Sequence, residues 1–153
     1  SLAAKVSWDQ TNLYLLVDVT DDTHAQTYTG QDVWKGDGIQ FAIDRQRASR
    51  PSDAPYAEFG LSLTGDGPQV FRWTDTPGLV PEATCVVMRD GTHTVYEAAI
   101  PWVLLGGRPK TGDTLGFSLL ANDNDGKERE GWVPLFDGIG WRKEASKFGA
   151  LMF

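Results

Sequence analysis

From Leu13 to Val19 apolar side chains recur at every second position. Leu13, Leu15, Val17 and Val19 would line one side of an extended chain, with Tyr14, Leu16 and Asp18 on the other. A strand that alternates in this way has one apolar face, which must be buried against a second layer of structure. The same period of two returns in "GIQFAID", "AEFGLSL", "QVFRW", "TCVVMR", "HTVYEAAI", "TLGFSLLAND", "GWVPLF" and "FGALMF". Between these runs stand the turn signals "TGDGP", "TDTPG", "RDGTH", "KTGDT" and "DNDGK", where Gly supplies positive φ and Pro presets it. Only "PWVLLG" (101–106) reads as helical, with Pro at a first helical position and Gly as the stop. The expectation is an all-β chain, an antiparallel β-sandwich of about nine to eleven strands with one short helical turn. The least regular stretch, "RQRASRPSDAPYAE" (45–58), reads as a solvated connection carrying Arg45, Arg47, Arg50, Pro51 and Pro55.

At 153 residues the prior is a single domain over 1–153, with enough chain to bury a core unaided. It enters a strand almost at once, as expected of a domain excised from or appended to a larger protein. Fourteen Lys and Arg stand against 21 Asp and Glu, net −7, the opposite of a nucleic-acid footprint. No apolar run approaches the roughly 18 residues of a membrane span, so neither nucleic acid nor membrane is an expected partner. The lone Cys85, in the strand-like "ATCVVM", reads as a buried thiol.

Catalytic patterns are thin. His24 and His93 lie far apart in sequence, and no nucleophile elbow, P-loop or His-Glu-x-x-His motif occurs. A sandwich glycosidase needs two carboxylates facing across a cleft, whereas Glu58 and Glu97 stand singly on their strands. Oxygen-rich clusters are denser: "TDDTH" holds Asp21 and Asp22, and "ANDNDG" holds Asn122, Asp123, Asn124 and Asp125. Each admits two readings, a turn whose side chains bond their own backbone, or a calcium-binding loop. An EF-hand is excluded because Glu128 and Glu130 come too soon to close one.

The six tryptophans discriminate better. Trp8, Trp73 and Trp102 have apolar partners and read as packing residues. Trp34, Trp132 and Trp141 stand beside Gly and charges in "DVWKGD", "REGWVPL" and "GIGWRKE". An indole left open to water offers a flat apolar face for the C–H side of a pyranose, while polar neighbours bond its hydroxyls.

Four pieces in chain order resemble the family 9 carbohydrate-binding modules, within the wider DOMON-like β-sandwich group. They are "VSWDQTNLYLLVDVTDD", "DVWKGDGIQFAID", "YEAAIPWVLLG" with "GDTLGFSLLANDND", and the closing "FGALMF". The resemblance covers nearly the whole chain, although the family's "IDG" opening is absent. It implies a non-catalytic binder in which two tryptophans sandwich one sugar unit of an oligosaccharide or polysaccharide. Trp34 would be one wall and Trp141 the other, with Trp132 in reserve. Gln40 stands where an acidic hydrogen-bonding residue is usual, and Arg72 and Asn122 would be further polar partners. The resemblance also implies structural calcium, with Asp22, Asp37 and Asp123 as candidate ligands and no organic cofactor. It further implies an extracellular or periplasmic setting and a catalytic domain in the same polypeptide. Three other readings stay open at this point. One is a DOMON-type haem or redox domain drawing on Met88, Met152, His24 and His93. The others are an interaction domain with no sugar site, and a divergent glycosidase.

Overall fold

Alternation becomes two stacked antiparallel sheets in a computed structural model that describes residues 1–47 and 56–153. Residues 48–55, and with them Arg50, Pro51 and Pro55 of the expected loop, lie outside the described residues. The smaller sheet runs β1–β2–β8–β7, from Leu2–Trp8 (β1), Asn12–Thr20 (β2), His93–Pro101 (β8) and Thr84–Asp90 (β7). The larger sheet runs β10–β9–β3–β4–β5–β6, with β11 also paired to β9. Its strands are Gly38–Asp44 (β3), Ala57–Thr64 (β4), Gly67–Arg72 (β5), Gly78–Leu79 (β6), Thr114–Asp123 (β9), Gly131–Pro134 (β10) and Gly149–Met152 (β11). That makes eleven strands among the described residues, as the pattern predicts.

The faces also fall where the alternation puts them. Leu13, Leu15 and Val17 from β2 and Tyr96, Ala98 and Ile100 from β8 meet Ile39, Phe41, Ile43, Phe59, Leu61, Phe117 and Leu119 across the sandwich. Burying each such Leu, Ile or Phe stabilises the fold by roughly 1.5–3 kcal/mol. The turn at Trp102–Leu105 is 3₁₀, closed by Gly106 at φ 81°, a conformation that favours glycine. Two further 3₁₀ turns, Gly30–Lys35 and Ala145–Lys147, carry no periodic signal.

Strand β3 departs from simple alternation, since all seven of its residues are buried. The outer face of the larger sheet is covered as well. Ile139, Ala145 and Phe148 pack on Ala42 and Leu120 in a second, smaller core, with Tyr56 and Trp132 at its margin. The long segment between β10 and β11 therefore lies over the sheet and forms one side of the cleft described next.

Candidate functional site

Register sets the floor of the cleft. Gln40 pairs with Gly60 and Leu120, and Ala42 pairs with Glu58, so Gln40 and Glu58 share the outer face of the larger sheet. Glu58 is 3% exposed and its carboxylate is well supplied with donors. Oε1 accepts from Lys143 Nζ at 2.6 Å and from Gln40 Nε2 at 3.2 Å, and Oε2 accepts from Tyr56 at 3.4 Å. Lys143 also donates to the Ile139 carbonyl at 2.8 Å, which ties the covering segment to the floor.

The walls are aromatic. Trp34 projects from the 3₁₀ turn at Gly30–Lys35 with 36% of its surface open. The turn is held by Gln26, which donates to the Val33 carbonyl at 2.9 Å and the Asp37 carbonyl at 2.7 Å. Val33 is buried beneath it, so the backbone is anchored while the indole stays available. Trp73 lies over Gly60, where a Cβ would stand 2.5 Å from its ring, and its Nε1 donates to the Gln31 carbonyl at 2.9 Å. Arg129 enters from the hairpin between β9 and β10, its guanidinium carbon 4.4 Å from the Trp132 ring centre and 5.6 Å from that of Trp34. Both separations are within cation–π range. Together Trp34, Gln40, Glu58, Trp73, Arg129, Gly140 and Lys143 enclose about 290 Å³. That is near the lower end of ligand pockets, roughly 300–1,000 Å³.

Of the residues singled out in the sequence, Trp34 and Gln40 line this cleft. Trp132 stands behind it, against Arg129 and over Gly140. Trp141 is 82% exposed and lines a neighbouring depression of about 200 Å³ with Trp132, Arg142 and Lys147, and Gly140 borders both hollows. Arg72 faces the other way: it pairs in register with core-facing Phe59, lies 5.5 Å over that ring and bonds Asp75 at 2.5 Å. Asn122 shares the outer face but sits at the acidic end of the sandwich.

Glu58, Trp73, Arg129 and Lys143 were not among the expected site residues. Glu58 was noted only as a single carboxylate, and its partnership with Gln40 depends on register. Trp73 reads as packing because it follows an alternating run. Trp8, read the same way, is 43% exposed and packs on Phe153 at 4.6 Å, whereas Trp102 is buried. The larger hollow, about 540 Å³ on the outer face of the smaller sheet, includes Leu16, Val86 and Tyr14. Its one aromatic hydroxyl is already bonded to Asp9 at 2.9 Å.

At the acidic end, carboxylate oxygens of Asp21, Asp123 and Asp125 lie within 4.8 Å of one another. Asn122, 4% exposed, borders the same hollow with a buried Oδ1 that has no partner. Asp22 lines the hollow too, while Asp37 belongs to a smaller adjoining cavity with Asp21 and His24. Burial, then repulsion from Asp123, raises the Asp21 carboxyl above its usual range. Three carboxylates crowded this closely offer the hard oxygen donors that a cation such as calcium takes.

Asp37 is also the tie between this end and the Trp34 turn. Its oxygens accept from Ala25 N at 2.6 Å and Asn124 N at 3.1 Å, and Asn124 Nδ2 donates to the Lys35 carbonyl at 2.7 Å. Burial pushes the Asp37 carboxyl up to about 7, against those two backbone bonds and with help from Asp21 and Asp123. Of the haem candidates, Met88 and Met152 are exposed on strands of different sheets, and His93 bonds Asp18 at 3.1 Å.

Residues 1–153 match the family model described as carbohydrate family 9 binding domain-like. Among solved structures, the chain is similar to a family 9 carbohydrate-binding module from Caldicellulosiruptor kristjanssonii in complex with glucose. Identity is 22%, coverage 99% of this chain and 75% of that one, and the TM-score 0.74. A structure from the same organism in complex with cellotriose gives 23% identity, coverage of 99% and 74%, and a TM-score of 0.72. At that identity the likeness speaks for the shared fold. No curated protein matches the sequence.

Proposed function

The chain belongs to the carbohydrate family 9 binding domain-like family, and on that premise we propose that it binds one sugar unit of a glycan in the Trp34 cleft without catalysing a reaction. The observation that carries this reading is the half-open Trp34 indole standing beside a floor of Gln40 and Glu58. A pyranose face stacks on the indole, and Gln40, Glu58, Arg129 and Lys143 bond its hydroxyls. Trp141 is the candidate second wall, since it follows Gly140 at the rim and is largely unencumbered. The glucose and cellotriose held by the Caldicellulosiruptor modules make plant-type glucans the first ligands to try.

So small a contact corresponds to about −4 to −8 kcal/mol, millimolar to micromolar affinity. Titration calorimetry and tryptophan fluorescence with glucose, cellobiose, cellotriose and xylobiose test it. Trp34→Ala should abolish the signal, and binding that survives this change would place the sugar elsewhere. Calcium at Asp21, Asp123 and Asp125 is part of the proposal, its role being to hold the ends of β2 and β9 together. The setting is proposed as extracellular or periplasmic, beside a polysaccharide-active catalytic domain in the same polypeptide. The full reading frame and fractionation of the native host test that setting.

A further inference from the structure

Arg129 brings a positive charge into the cleft with no acid among the described residues to answer it. Among the described residues its Nε and Nη2 have no hydrogen-bond partner, although both are shielded from solvent. Among the described residues no carboxylate pairs with it. Its neighbours in sequence, Glu128 and Glu130, are exposed while Arg129 is half-buried. Withdrawing an uncompensated charge from water is costly, and this chain carries seven more acids than bases, so partners were not scarce. Stacking between Trp132 and Trp34 offsets part of that cost but does not neutralise the charge.

The rest of the lining does not neutralise it either. Glu58 is the one acid among the described lining residues, and it is matched by Lys143, Gln40 and Tyr56. With Arg129 and Lys143 against Glu58, the described lining residues carry one net positive charge in a chain of net −7. Lys143 spends two of its three N–H donors on Glu58 and Ile139, leaving one. The cleft therefore offers spare cationic donors, whereas a neutral sugar presents hydroxyls that both give and accept.

We propose that the preferred ligand is an acidic sugar, a hexuronate at the end of a glycan chain, with its ring on Trp34 and its carboxylate on the guanidinium of Arg129. The proposal rests on the reading of this cleft as a sugar site. A carboxylate on a guanidinium forms the stronger, charge-assisted kind of hydrogen bond.

Three probes separate the possibilities in titration calorimetry: methyl β-glucuronide, its neutral methyl ester, and methyl β-glucoside. At low ionic strength the glucuronide should bind about ten-fold or more tightly than the glucoside. The advantage should shrink as salt is raised, because the partly exposed charges are screened. The ester, which differs by one methyl group and the loss of the charge, should fall to the level of the glucoside in the unaltered protein. Arg129→Gln should erase the ratio between acid and glucoside. Equal or tighter binding of the glucoside, an ester as tight as the acid, or a ratio that survives in Arg129→Gln would overturn the proposal while leaving the sugar site in place. If acetate competes as well as the glucuronide, the site is a simple anion site and the proposal fails. Binding of none of the three, nor of cellobiose, would overturn the sugar reading itself.

Discussion

Lys143→Met removes one charge from above a buried carboxylate while keeping most of the aliphatic stem. In the folded protein Lys143 Nζ stands 2.6 Å from Glu58 Oε1, with side-chain exposures of 49% and 4%. At that distance Coulomb's law gives about 1.6 kcal/mol with the dielectric of water and about 6 kcal/mol at an effective value of 20. Because Lys143 is half in solvent, screening keeps the pair toward the lower figure. Glu58 itself is sealed in, and after the change it retains, among the described residues, only Gln40 and Tyr56 as side-chain donors. A buried acceptor stripped of a charged donor costs about 1.5–3 kcal/mol, so about 2 kcal/mol is expected. For a domain of this size that lowers the melting temperature by about 4–8 °C. The measurement is a double-mutant cycle in urea with Lys143→Met, Glu58→Gln and the pair together. Once Glu58 carries no charge, losing the ammonium should matter much less, giving a coupling of about 1–2 kcal/mol. Strict additivity, or a Lys143→Met protein as stable as its parent, would refute the account of the cleft floor.

Gly60→Ala places a methyl group 2.5 Å from the tip of Trp73 and 3.2 Å from Val33 Cγ2. Trp73 should swing away and lose its bond to the Gln31 carbonyl, with a shift in tryptophan emission and a loss of about 1 kcal/mol in urea titration. Asp37 supplies a pH signature. Its folded value of about 7 lies above the unfolded 3.8, so its stabilising contribution is full below pH 3.8 and is lost as pH rises toward 7. Asp37→Asn should flatten that slope in metal-free melting curves. Calcium should stabilise the fold by about 2.7 kcal/mol at a hundred-fold excess over its dissociation constant, so that the melting temperature rises with its concentration. Asp123→Asn together with Asp125→Asn should abolish the response, and an EDTA-treated sample should behave like the variant. Cys85, whose thiol burial pushes up to about 12, should resist thiol reagents at pH 8 until the protein is unfolded.

The fold was legible because burial on a strand writes itself as alternation. Leu13, Leu15 and Val17 needed no partner's identity to be assigned to the core. The cleft was legible only in part. Trp34 could be singled out because a large apolar ring in a Gly- and Asp-rich turn has no local reason to be there. Gln40 and Glu58 are 18 residues apart, and their bond exists because β3 and β4 pair in one register. A shift of that register would separate them without changing either strand's pattern. Arg72 illustrates the opposite case, since its position one residue after Phe71 and before Trp73 says nothing of which face the sheet gives it. Lys143 and Arg129 lie on segments without periodicity, so nothing local could aim them. The acidic end divides in the same way: Asp123 and Asp21 stand at strand ends that the pattern located, but only the fold brings Asp125 into their company.

Strand β3 has its odd positions, Ile39, Phe41 and Ile43, in the core between the sheets and its even positions, including Gln40, on the cleft side. On the proposed reading of the cleft, sugar preference and foldedness are thus written on alternate letters of one seven-residue word. Point changes at the even positions can retune recognition while the interleaved letters keep the sandwich intact. A single inserted or deleted residue would send Phe41 into the cleft and Gln40 into the core. Diversification of this module is therefore expected by substitution within β3, with length changes confined to the loops that carry Trp34, Arg129 and Trp141.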